Sequence, residues 1–442
     1  MNKQVLKKSN SNVTIAIIGG GVSGLSLAYF LQSKHIDFVL FERESRLGGN
    51  AHTRKIVHNN KEKCVDMAVN DFNPKTYSKL SNLLEKTNSS TGQVKVNTTF
   101  FSTNSFLFKE SELKDAELVE NIDRFKKEAV EVLINKTFRW YSVKEYFEEK
   151  GYSPKFLTQY LYPRIQGLFF YPPEGLESLP VSFVMNFYSL QCGFKHNKIP
   201  SAVRFNFKNG ASSWIENLAK AIPSQNIIKS ESPQIEKTDV GFKIQYSNGE
   251  VFADKVVFAC HADDLYNHYS EMLSEKQNQI ISKIKYAKML SVAHCDINYL
   301  PVNRADFSAY NCLVKDPSED KNTHYTITYN CNEHQNLSNG GKNSDGDDDY
   351  FFVTVNPIQK IEEKYILKDT NGLPLIKEFS RNICDFDLLR SQKQLKLHQG
   401  KNNIYFVGGY TNGIGLHENC LIQSAIIAKK IHEQRKLLPL TH

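Results

Sequence analysis

Residues 14–42 constrain this chain more than any other segment. Thr14 to Ile18 is a short continuous apolar run rich in β-branched residues, the pattern of a strand buried on both faces of a parallel sheet. It runs into Gly19-x-Gly21-x-x-Gly24, after which Leu25, Leu27, Ala28 and Leu31 fall at helical spacing. Phe38 to Phe41 reads as a second strand, and Glu42 closes it. Each residue type has a mechanical role. Gly19 permits the tight turn, Gly21 lets the backbone approach a pyrophosphate, and Gly24 brings helix and strand together. The helix N-terminus faces phosphate charge, and Glu42 can accept hydrogen bonds from both ribose hydroxyls of an adenosine. With strand, helix and acid all in place, the pattern implies a bound dinucleotide. Ser23 and Arg43 are counted with the residues that hold it.

The rest of the chain bounds the setting. Its 442 residues allow two domains with a closed pocket between them. Lys and Arg number 55 against 48 Asp and Glu, a net charge of +7, which is too mild a bias for nucleic-acid binding. Transient contact with an anionic membrane surface stays open. The eight cysteines are scattered without a C-x-x-C pair, as free thiols in a reducing compartment would be. No stretch approaches the roughly 20 apolar residues of a membrane span, and Val13 to Val22 ends in glycines rather than in a cleavage site, so a cytoplasmic protein is expected. Metal clusters, a nucleophile elbow and a P-loop are absent.

Along the chain the texture changes. From about Phe106 to Phe194 it is helical and crowded with aromatics between Phe138 and Tyr171, more a core than a pocket lining. Phe242 to Tyr246 with Asn248-Gly249 reads as a hairpin, and Lys255 to Ala259 as a buried strand. Further strands are expected around Leu290 to Ile297, Tyr325 to Tyr329 and Phe351 to Val355. Between the last two, Asn332 to Asp349 is a low-complexity loop expected to be mobile and solvated. A final strand, Ile404 to Val407, meets Gly408-Gly409, and a helix from about Glu418 to Ile431 ends the core. Strand, glycine turn and helix thus occur at both ends of the chain. His261 and His294, beside and within strands, are read as structural histidines rather than general bases.

Just after Glu42, Arg46-Leu47-Gly48-Gly49-Asn50 supplies a second glycine pair. Here the chain resembles the flavin amine oxidase and phytoene desaturase superfamily, whose fingerprint is Glu, five residues, then Gly-Gly. Val65 to Asn73 with Thr76-Tyr77, the segment 151–163, Ala259 to Asp263, His294-x-Asp296, Val355-Asn356-Pro357, Tyr405 to Tyr410 and Gly415 to Glu418 extend the likeness over nearly the whole chain. They look like a bacterial group of predicted NAD/FAD-binding oxidoreductases related to the N-terminal domain of plant cyclopropane fatty acid synthases.

The resemblance implies an α/β fold: a discontinuous Rossmann-like FAD-binding domain from residues 1–105, 200–265 and 396–442, with an inserted mixed α+β substrate domain from 106–199 and 266–395. It implies non-covalent FAD held additionally by Gly48, Gly49, Asn50, Gly409, Gly415, Leu416 and His417. His417 and Glu418 are the candidates for catalytic residues beside the flavin. The sequence departs from the pattern at Tyr410, where the superfamily often has an acid, at Leu416, where amine oxidases place an aromatic wall, and at Asn50, where an arginine is usual. The expected activity is therefore oxidoreduction of a small lipophilic substrate, with a fatty acyl chain favoured and desaturation, saturation and double-bond isomerisation all open. The alternatives are a non-catalytic, FAD-stabilised partner of a lipid methyltransferase, and an amine oxidase.

Overall fold

The computed structural model describes residues 15–58, 61–68, 71–102, 105–134, 137–169, 175–192, 203–314, 325–338, 340 and 349–437. The first element, β1 (Ile15–Ile18), is buried along its whole length. It leads into α1 (Val22–Gln32) and then β2 (Phe38–Glu42), which is also wholly buried. Both strands lie inside a five-stranded parallel sheet, β2 and β1 flanked by Ile227–Lys229 on one side and by Lys255–Phe258 and Ile404–Phe406 on the other. Burial on both faces explains why these strands read as unbroken apolar runs. The C-terminal helix His417–Leu437 packs along α1, and Ser424 Oγ donates to the Ser23 carbonyl at 2.9 Å. The two ends of the chain therefore build one layer.

A seven-stranded sheet forms the second unit. Its order is Ile376–Asn382, Tyr286–His294, Phe352–Val355, Tyr325–Asn330, Tyr310–Val314, Thr98–Phe101 and Phe106–Lys109. Thr98–Phe101 pairs in parallel with Tyr310–Leu313, so this strand belongs to the second sheet and not with the cofactor-binding segment that was expected to run to residue 105. Asp71–Phe72, Arg204–Phe207 and Thr91–Val94 form a separate small antiparallel sheet with Arg204–Phe207 as its middle strand.

The aromatic region is core, as expected. Phe125, Phe147, Tyr152 and Phe156 make edge and tilted ring contacts with centroids 4.9–5.9 Å apart, geometries favoured by ring quadrupoles. All eight cysteines are free. Among the described residues no helix is long and apolar enough to cross a membrane. The basic residues Lys3, Lys7 and Lys8 lie outside the described residues, as does half of the loop expected to be mobile and solvated, residues 339 and 341–348. In its described first part Cys331–His334 is helical and Asn332, His334 and Leu337 are buried, so that part is not solvated.

Candidate functional site

One cavity of about 490 Å³ is lined from both sheets. On the parallel-sheet side it begins at the turn between β1 and α1, where Gly19, Gly21 and Ser23 face it. The turn is held by Glu42, whose Oε2 accepts the Gly20 N–H at 2.6 Å and whose Oε1 accepts the Glu44 N–H at 2.8 Å. Each oxygen keeps a second lone pair, and the carboxylate lines the cavity. The N-cap of α1 is Gly21, with no side-chain acceptor for the first amides, so the positive end of the helix opens on the cavity.

Gly24 does not line the cavity. A Cβ there would sit 1.9 Å from the Gly19 carbonyl oxygen, so its role is the close helix–strand contact. At Gly21 an added Cβ would meet nothing nearer than the Gly49 Cα at 3.9 Å and would stand in the cavity itself.

The second glycine pair completes this cradle. Gly21 and Gly48 form an isolated parallel bridge, and Gly48 and Gly49 both line the cavity with positive φ. Arg46 braces the loop, its Nη2 donating to the Gly49 carbonyl at 2.7 Å. Asn50 lines the cavity and ties the loop across to Ser380 O at 3.2 Å. Arg43 lines it as well, its Nη1 2.9 Å from Asp264 Oδ1. A third wall comes from the C-terminal strand and helix: Gly408, Gly409, Gly415, Leu416 and His417. A Cβ on Gly415, where φ is +75°, would fall 2.8 Å from the Gly409 Cα, so the two glycines permit this turn to fold against the strand end. Tyr410 does not face the cavity; its ring underlies Gly408.

The two candidate catalytic residues separate. His417 lines the cavity, packs its ring 5.2 Å from that of Trp214, and has no hydrogen-bond partner at Nδ1 among the described residues. Burial, aided by the nearby Arg381 charge, pushes its pKa down to about 4, so the imidazole is neutral at pH 7. Glu418, by contrast, is not among the cavity-lining residues. Its carboxylate accepts the N–H groups of Lys79 and Leu80, both at 2.9 Å, at the start of α2 (Ser78–Lys86). The expectation of Glu418 beside the flavin is corrected: one residue along the helix turns the side chain away, and it caps a neighbouring helix.

His294 is structural as expected, with Nε2 2.7 Å from Thr354 Oγ1 and Nδ1 accepting the Asp296 N–H at 3.1 Å. His261 lines the cavity and stacks on Tyr286 at 4.9 Å. Asp66, in the Val65-Asp66 motif, serves the fold: its Oδ1 accepts the Ala211 N–H at 2.8 Å at the start of the helix Ala211–Lys220.

On the seven-stranded side the cavity is bounded by Phe187, Met289, Ile327, Tyr329 and Phe379, together with charged groups that spacing did not mark. Asp71, Arg204 and Arg381 line it. Asp71 Oδ2 accepts from Tyr310 Oη and is 2.8 Å from His334 Nε2. Burial would raise the Asp71 pKa, but the Arg204 charge and those two partners overcome it and leave the carboxyl at about 2. Their one signal in the sequence is a charge inside an apolar strand, as in Arg204-Phe205-Asn206-Phe207 and Asp71-Phe72.

The residues present fit FAD. An uncapped helix N-terminus, a carboxylate lining the cavity, and glycines whose Cβ atoms would intrude are the parts of a dinucleotide cradle. Similar solved structures share the fold over nearly their whole length. A fatty acid isomerase from P. acnes that produces CLA has a TM-score of 0.67 at 13% identity, covering 96% of this chain and 99% of that one. Putrescine oxidase bound to putrescine has a TM-score of 0.67 at 12% identity, over 95% and 99%. Cyclohexylamine oxidase from Brevibacterium oxydans has 0.64 at 13%, over 96% and 100%. The profile of the flavin containing amine oxidoreductases matches residues 22–295. Covering more than half of the chain, from α1 to the strand Tyr286–His294, that match makes the chain a member of the flavin containing amine oxidoreductase family, an FAD-dependent oxidoreductase.

Proposed function

We propose that this flavoenzyme acts on the hydrocarbon chain of a lipophilic substrate, a fatty acyl chain, by desaturation, saturation or double-bond isomerisation, with FAD held non-covalently. The observation that carries the reading is the wall the cavity presents beyond the cofactor cradle: Phe187, Met289, Ile327 and Phe379, with Leu416 at the start of the C-terminal helix. An apolar chain gains by leaving water for such a wall, at roughly 0.8 kcal/mol per buried CH₂. A small polar amine gains little there. The likeness to a fatty acid isomerase supports the same choice, within a fold that putrescine oxidase shares.

Bound FAD supplies two-electron redox chemistry. The protein's own groups hold and tune it. The N-terminus of α1 and the Gly48-Gly49 loop receive the pyrophosphate, and Glu42 the ribose. The positive end of the C-terminal helix, at Gly415 to His417, opens on the cavity and favours negative charge there. His417, neutral at pH 7, offers a hydrogen bond without adding charge.

The test is an anaerobic titration of the purified protein with saturated and monounsaturated acyl lipids, then with polyamines and aromatic amines. Flavin bleaching or an isomerised product is expected with an acyl lipid. Bleaching by amines alone would overturn the proposal.

A further inference from the structure

Two of the guanidinium groups that line the cavity, those of Arg164 and Arg204, differ in one respect. Arg164 is internally matched: its Nη1 lies 2.5 Å from Glu110 Oε2, while Glu110 Oε1 accepts from Tyr160 Oη at 2.9 Å. Arg204 is 4% exposed, yet Nε and Nη1 have no hydrogen-bond partner among the described residues. Its Nη2 reaches only Cys192 Sγ, at 3.8 Å. Asp71 is close enough to affect it electrostatically, but no hydrogen bond or ion pair among the described residues joins the two, and Asp71 Oδ2 already accepts from Tyr310 and faces His334. Gln191, which lines the cavity one residue before Cys192, also has an unpartnered side-chain oxygen.

Buried charges in folded proteins are kept paired and their N–H groups satisfied. A guanidinium left with open donors, lining a cavity, is a site awaiting a ligand. The planar group with two acceptor oxygens that matches it is a carboxylate. A dianion is disfavoured by Asp71, and an ester or thioester offers no charge. The pyrophosphate cradle, at Gly21 and Gly49, is built on the turn after β1 and the loop after β2, whereas Arg204 lies in the small three-stranded sheet.

Resting on the reading of the site as one for an acyl chain, we propose that Arg204 is the anchor for the substrate's carboxylate, so that the substrate is a free carboxylic acid and not an ester, thioester or amine. The amide of Gln191 can turn its N–H₂ toward the same head group, because an amide offers either end. The apolar wall of Phe187, Met289 and Ile327 then takes the chain. Arg204 is a positioning residue: it fixes which carbon of the chain is presented.

The experiment is calorimetric titration of the FAD-loaded, full-length protein with decanoate, methyl decanoate and decylamine. Decanoate is expected to bind at least about tenfold more tightly than its methyl ester, the effect of a charge-assisted hydrogen-bonded pair. Arg204→Met should bring decanoate down to the affinity of the ester, leave the ester unchanged and retain FAD, and Arg204→Lys should recover part of the difference. Equal binding of acid and ester by the unaltered protein would overturn the proposal, as would tighter binding of decylamine, which would make Asp71 the head-group ligand. The comparison of ligands on the unaltered protein decides the matter even where a variant does not fold. Selective binding of decanoate with no conversion of any acyl chain would break the proposed function and leave the anchor standing. Conversion of ester and acid alike would break the anchor alone.

Discussion

Replacing Glu418 by alanine separates a structural carboxylate from a chemical one. Its oxygens accept the Lys79 and Leu80 N–H groups at 2.9 Å, with Ser78 Oγ at 3.4 Å, and the N-cap residue of α2, Tyr77, provides no side-chain acceptor. Glu418 is thus the cap of a helix distant in sequence. Loss of a side-chain cap costs about 0.5–2 kcal/mol, and loss of a favourable charge at a helix N-terminus about 0.3–1 kcal/mol more. Burial works in the opposite direction, raising the Glu418 pKa, so part of the cost of burying its charge is recovered when it is removed. The net is about 1–2 kcal/mol. With an unfolding entropy of about 2.1 cal/mol/K per residue over 442 residues, that corresponds to a fall in Tm of only about 1–2 °C. Glu418→Gln, which keeps one acceptor, should fall by less. The assay is thermal unfolding followed by tryptophan fluorescence, alongside the FAD content and midpoint potential of the folded protein. The reasoning predicts a lower Tm with the potential unchanged. An unaltered Tm together with a shifted potential would refute it and return Glu418 to the flavin.

Three further outcomes follow from the same geometry. Gly21→Val should give a folded protein that purifies colourless, because the new side chain enters the cavity, whereas Gly24→Ala should destabilise the fold itself through the Cβ placed 1.9 Å from Gly19 O; absorbance at the flavin band and a thermal melt distinguish the two. His417→Gln should leave the pH dependence of flavin reduction between pH 5 and 8 unchanged, since the imidazole, held at about 4, is neutral throughout that range; loss of a limb near pH 6.5 in the variant would contradict this. Burial lifts the Asp66 carboxyl from its ordinary value of 3.8 to about 7. A raised folded-state pKa means its contribution is fully present below pH 3.8 and lost as pH rises through about 7. The stability of Asp66→Asn relative to the unaltered protein should therefore climb between pH 4 and 7, by up to about 4 kcal/mol at about 1.36 kcal/mol per unit, and a pH-independent difference in urea unfolding would argue against the shift.

The sequence alone determined what depends on neighbours along the chain. β1, the glycine turn, α1 and Glu42 were legible because a strand buried on both faces, a turn needing glycine and a largely buried helix with apolar residues at helical spacing all write their constraints within about 30 residues. The hairpin at Asn248-Gly249 and the C-terminal helix were legible for the same reason. Tertiary structure decided what depends on register and facing. Thr98–Phe101 joined the second sheet because Tyr310–Leu313 offered it a partner, which no local pattern encodes. Glu418 and His417 are adjacent in sequence, but helical rotation sent one to cap α2 and the other to the cavity. Asp71, Arg204, Tyr310 and His334 come from four separated elements, and the pairing of Asp71–Phe72 with Arg204–Phe207, with Tyr310 and His334 bonded to Asp71, brings them together. The dinucleotide cradle was therefore readable from spacing, while the charged side chains on the far side of the cavity are neighbours only in the closed fold.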